Sequence, residues 1–187
     1  FELLSREFAH TRRKNLLLRD LDELVNQQLA KMLFANPQRI DYYYRYQEII
    51  DAYNAEQNRA TIEKTFMDLM ELASSLDTEQ QRYVREGFSS DEELSVYDLL
   101  FSENLTKQEI ETIKKVSVDL LTKIKQQIAK LDHWTDKQET KAIVDNLIRN
   151  TLWQELPNSY DVSDIQTYQK KIYEYVYAQE DYPFLNK

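Results

Sequence analysis

Cysteine is absent from these 187 residues, glycine occurs once and proline three times. Without a thiol the chain has no disulfides and no thiolate metal sites. A single glycine cannot furnish a phosphate-cradling loop of the Gly-x-x-x-x-Gly-Lys-Ser/Thr kind, so a nucleotide site of that design is excluded. No stretch rich in Gly, Ser or Pro divides the chain, and no run of about 18 apolar residues could cross a membrane. The length suits one domain, residues 1–187, with a core of its own. With no signal-like start, a cytoplasmic location is expected. Because the first residue is Phe1 rather than Met, a fragment of a longer chain is also expected.

What is present is helical periodicity. Apolar residues recur at spacings of three and four, which predicts an all-α fold, a single irregular bundle of about six to eight helices. Helices are expected near 3–34, 37–53, 59–76, 78–86, 91–101, 107–131, 136–154 and 164–180. A connector role for residues 1–35 fits the long first element. Gly87 can adopt the left-handed conformation that ends a helix, and Ser90 with Glu93 makes a capping box that opens the next. Asn36-Pro37 supplies an N-cap followed by proline at the first helical position. Thr106 with Glu109, Thr135 with Gln138 and Ser163 with Gln166 repeat the capping-box spacing. In the helix from 107, Ile110, Ile113, Leu120, Leu121, Ile124, Ile128 and Leu131 fall in one arc, the core face.

The net charge of -9 is unevenly spread. Residues 59–105 carry 4 Lys and Arg against 11 Asp and Glu, whereas residues 106–150 carry 9 against 7. Away from the core arc of the long helix, Lys115, Lys123 and Lys130 share a sector, and Lys137 and Lys141 extend it onto the next helix. One reading is a solvated face relieved by Asp119. The other is a ridge of contacts to duplex-DNA phosphates, which would show as salt-dependent affinity.

Catalytic constellations fail on spacing. Glu139-Thr140-Lys141 has the Glu-x-Lys form used by metal-dependent nucleases, but it lies in the first turns of a capped helix, where charged i to i+4 pairs are the ordinary outcome. Glu7 and His10 have one half of a di-iron spacing, and Lys130 stands where the partner motif of His133 needs a glutamate. No catalytic residue and no metal ligand is therefore assigned. Thirteen tyrosines cluster at Tyr42, Tyr43, Tyr44 and Tyr46 and again at Tyr168, Tyr173, Tyr175, Tyr177 and Tyr182. Tyr173 and Tyr177 share a helical face and could dock a partner or pack inward. Trp134, in a short connection, could do the same or seal a corner.

Four strings add identity to these patterns. They are Asn36-Pro37-Gln38-Arg39-Ile40-Asp41-Tyr42-Tyr43, then Tyr46-Gln47-Glu48-Ile49-Ile50-Asp51-Ala52-Tyr53-Asn54, then Arg85 to Leu100, then Leu131-Asp132-His133-Trp134. In type, order and spacing they resemble the C-terminal helical domain of the restriction, or motor, subunit of type I restriction-modification enzymes, over about Asn36 to Val176. The resemblance implies a parent that translocates DNA with ATP and Mg and then cuts it. It further implies a helical region that joins the motor to the methylation and specificity subunits, with no cofactor and no enzymatic activity in this fragment alone. Two other readings stay open: a docking module that never touches DNA, and an unrelated helical scaffold.

Overall fold

The computed structural model describes residues 2–56 and 58–181. Among them are nine α-helices and no strand, the all-α fold that the periodicity predicts. The contacts gather into two compact units, one up to Arg82 and one from Tyr83 onward.

The first unit holds α1 (Glu2–His10), α2 (Lys14–Ala35), α3 (Ile40–Ala55) and α4 (Arg59–Gln80). The stripe Leu18, Leu21, Val25, Leu29 and Met32 of α2 is buried against Phe66, Leu69, Leu72, Ala73 and Leu76 of α4. The element expected over 3–34 is broken at Thr11–Arg13, where Thr11 Oγ1 accepts from the Arg13 N–H at 3.1 Å. Core geometry explains the break. In one continuous helix Phe8 would point about 100° away from the α2 stripe, whereas here it is buried and stacks on Phe66 at 3.6 Å and 7°. Asn36 caps as expected, accepting from the Gln38 N–H at 3.1 Å. The turn it opens, Pro37–Arg39, is 3-10, and α3 starts only at Ile40.

A helix expected over 78–86 does not form as such. Burial of Leu72, Ala73, Leu76 and Glu79 at three- and four-residue spacing carries α4 on to Gln80, and Thr78 bonds back to the Ser74 carbonyl as an interior residue. Only α5 (Arg82–Arg85) remains of it. Glu79 is one partner of a buried ion network: its Oε1 accepts from Arg39 Nε at 3.0 Å and forms an ion pair with the Arg82 guanidinium, whose Nε lies 3.2 Å away. Burial, reinforced by the Glu79 charge, pushes the neighbouring Tyr42 hydroxyl above its usual range.

In the second unit α6 (Asp91–Leu100), α7 (Lys107–Ile128), α8 (Gln138–Glu155) and α9 (Val162–Asp181) close a ring, each packing on the next and α9 returning to α6. The α7 arc reads as expected: Ile113, Leu120, Leu121 and Ile124 are buried, with Ile110, Ile128 and Leu131 packed at the margin. Gly87 has φ +84°, its N–H bonds the Val84 carbonyl at 3.2 Å, and the Phe88 N–H bonds the Tyr83 carbonyl at 2.9 Å. This is the paired-bond stop that needs a left-handed residue. A Cβ there would meet nothing within 4 Å, so the backbone angle alone selects glycine.

Caps hold in some places and move in others. Thr106 and Glu109 form the full reciprocal box. Ser90 accepts from the Glu93 N–H, while the Glu93 carboxylate reaches Ser89 N rather than Ser90 N. Thr135 does not cap. The connection is spent on inserting Trp134 behind His133 at φ +46°, so the extended residue before α8 is Lys137, and no side chain caps it. Ser163 is displaced by a better acceptor two residues earlier: Asp161 accepts from the Asp164 N–H at 2.8 Å, and Asp164 accepts from the Asp161 N–H at 3.0 Å.

Candidate interaction surfaces

The five lysines proposed to contact phosphates do not make one ridge. Lys115 and Lys123 lie on α7, Lys130 and Lys137 in the connection after its end at Ile128, and Lys141 on α8. Lys123 is committed to Asp119 at 2.7 Å and Glu155 at 2.5 Å, and these bonds hold its ammonium above the ordinary lysine range. Lys141 lies 5.5 Å from the centroid of the Tyr177 ring. Lys115 is exposed on a cleft of about 770 Å³ whose lining includes Glu86, Glu111, Asp119 and Glu155. Carboxylates thus outnumber the cations around it, and the local field does not favour a phosphate. Lys130 and Lys137 are exposed and make no ion pair among the described residues.

The aromatic corner packs inward. Trp134 has 0 % exposure, so its side chain offers no surface to a partner, and the docking role expected for it gives way to that of a plug. Tyr173 and Tyr177 stand nearly perpendicular to its ring, with centroids at 6.1 and 5.8 Å, and are half-buried. Their four-residue spacing does bring them together, but over Trp134. The indole Nε1 is buried without a hydrogen-bond partner. Burial raises the Tyr173 hydroxyl above its usual range. Of the remaining tyrosines, Tyr46 donates to Asp22 at 2.7 Å and Tyr160 to the Leu100 carbonyl at 2.7 Å, whereas Tyr44 is exposed; Tyr182 lies outside the described residues. Glu139 and His133 are exposed, and no group of three or more His, Cys, Asp or Glu is gathered for a metal among the described residues.

Two surfaces were not anticipated from the sequence. Trp153, on α8, is 59 % exposed, although tryptophan is costly to leave in water. The buried residues of α8 are Val144, Ile148, Thr151 and Leu152. Ala142, Asn146, Arg149 and Trp153, spaced by four, three and four, are all exposed on the far side, with Ile143 and Asn150 beside them. Among the six exposed residues of this face from Ala142 to Trp153 one is charged, Arg149, with the exposed Glu139 one turn before them. A helical wheel would have separated Trp153 from the core arc, so this signal was available. The second surface is Arg12-Arg13-Lys14, the only run of three adjacent cations in the chain, at the unexpected break between α1 and α2.

By fold, the described residues are an all-α protein of two compact helical units. The chain belongs to the family described as type I restriction enzyme HindI endonuclease subunit-like, C-terminal, whose model matches residues 2–181. No match was found among curated proteins or among solved structures. Among the described residues, no helix is long and apolar enough to cross a membrane.

Proposed function

We propose that this chain is the assembly module of a type I restriction endonuclease subunit, docking the motor onto the methyltransferase core of methylation and specificity subunits. The observation that carries this reading is the outer face of α8. Trp153, Ile143 and Arg149 stand exposed there among uncharged neighbours. Tryptophan and arginine at the centre of a patch depleted in charge have the composition of binding hot spots. Family membership supplies the context, and the single glycine, too few for a Gly-x-x-x-x-Gly-Lys-Ser/Thr loop, is consistent with a division of labour in which this chain docks and the rest of the parent hydrolyses ATP. The module's work is mechanical: it holds the motor at the recognition complex while ATP-driven steps draw DNA inward.

Replacing Trp153 by Ala is expected to weaken binding of the chain to a purified methyltransferase core by tenfold or more, on the order of 2 kcal/mol for a hot-spot tryptophan. Helicity and Tm should stay near wild type, because Trp153 is outside the core. Unchanged affinity in a calorimetric titration would remove α8 from the interface. On α7 itself, the carboxylates around Lys115 and Lys123 speak against a phosphate-binding lysine ridge.

A further inference from the structure

Between α1 and α2 the chain bends at Thr11–Arg13, and no carboxylate occurs from Thr11 to Arg19. Arg12 and Arg13 are exposed and make no ion pair among the described residues. Across a cleft of about 650 Å³ stands Arg59, the first residue of α4, and Thr11, Arg12, Arg13, Lys14 and Asn15 line the near side. One acid serves the group: Glu63 lies 2.5 Å from Lys14 Nζ and 3.3 Å from Arg59 Nε, and these bonds hold its carboxyl below the usual range. Four cations therefore face one carboxylate, and the two at the lip have no partner. Arg13 also stands at the N-cap of α2, which has neither a side-chain cap nor an acid in its first turn, so the positive end of that helix adds to the same field.

Like charges gathered without partners cost the folded chain free energy and return nothing to its packing. An anion with several charges in a row would use them. Three of the four cations are arginines, whose planar fork matches phosphate oxygens bidentately. We infer that this basic elbow is a binding site for consecutive backbone phosphates of duplex DNA, with Lys14 and Arg59 held in place by Glu63 and with Arg12 and Arg13 free to close on the strand. The choice of DNA as the polyanion rests on the family assignment and on the reading of the parent enzyme as one that acts on DNA. The site itself is independent of the α8 face.

The test is fluorescence anisotropy of the full chain with a labelled, unmodified duplex across a salt series. R12A/R13A should weaken binding roughly tenfold at low salt and lower the slope of log K against log salt by about 2, one ion release per lost phosphate contact. Because the Arg12 and Arg13 side chains are exposed and make no ion pair among the described residues, their removal should leave Tm near wild type. E63Q, which removes the carboxylate paired with Lys14 and Arg59, should tighten binding several-fold, a gain that misfolding cannot mimic. K115A/K130A/K137A should bind as wild type. The inference is overturned if R12A/R13A keeps wild-type affinity and slope, if the lysine variant carries the loss instead, or if poly-glutamate competes as well as DNA does. No DNA binding by any form, with core binding intact, also overturns it while leaving the α8 docking reading in place.

Discussion

The two units use different cations. Up to Arg82 the chain carries 8 arginines and 3 lysines; from Tyr83 onward it carries 2 arginines and 11 lysines. The chemistry of the two side chains explains how each unit is locked. Guanidinium is weakly hydrated and forked, so the first unit can sink Arg39 to 4 % exposure and bond it to Glu79 together with Arg82. Ammonium is strongly hydrated, and the second unit keeps its lysines at the surface, where Lys123 meets Asp119 and Glu155, Lys125 meets Glu92 and Lys114 meets Glu86. Its lock is aromatic: Trp134 under Tyr173 and Tyr177, and Tyr160 bonded to the Leu100 carbonyl. The same contrast separates the exposed faces, an arginine-rich elbow in one unit and an almost uncharged tryptophan face in the other.

Removing the aromatic lock should have the largest effect. W134A empties a fully buried site and is expected to cost about 3–5 kcal/mol. Hydrogen exchange would show faster opening of α6 to α9, with α2 to α4 retaining their protection if the two locks are separate. Equal loss in both units would mean that they unfold as one body and that the comparison describes composition only. The ionic lock comes next. E79A leaves Arg39 buried without its carboxylate and should cost about 3 kcal/mol, whereas R39M/E79L should recover much of that loss, because an apolar replacement avoids the desolvation penalty. Urea unfolding of the two variants separates these outcomes; equal destabilisation would show that the pair contributes net attraction.

The smallest effect is one that both units share. The Tyr46 and Tyr160 hydroxyls are pushed well above the ordinary value of 10.0, in both cases first by burial, with the bond to Asp22 adding at Tyr46. The folded state therefore prefers the neutral phenol. That preference is fully present below pH 10 and is lost as pH rises beyond it, since the unfolded chain ionises first. Tm should fall on the alkaline side, and Y160F should flatten the fall for the second unit at a cost of about 1 kcal/mol near neutral pH for the deleted bond. An alkaline limb unaltered by Y46F and Y160F together would assign it to other groups.

Much of the fold was legible from local chemistry alone. Gly87, Ser90, Thr106 and Asn36 mark true helix ends because their signals are short-range and face no competitor. Signals failed where tertiary packing outbid them. Thr135 lost its cap to the insertion of Trp134, and Leu76 with Glu79 drew α4 through the expected boundary. The break at Thr11 depends on Phe8 reaching Phe66, a contact 58 residues away along the chain that no window reveals. The sites divide in the same way. Trp153 was readable from a wheel, and the Arg12-Arg13-Lys14 run from the string itself. The neutralisation of Lys123 by Glu155, from another helix, was not. Periodicity locates a charged face; it does not count the carboxylates that neighbouring helices bring to it.

The most direct test of the docking assignment is hydroxyl-radical footprinting of the two tryptophans, in the free chain and bound to a methyltransferase core. Trp153 is expected to be oxidised in the free chain and protected in the complex, with Trp134 unmodified in both. Equal oxidation of Trp153 in the free chain and in a fully formed complex would contradict the assignment of α8 as the docking face.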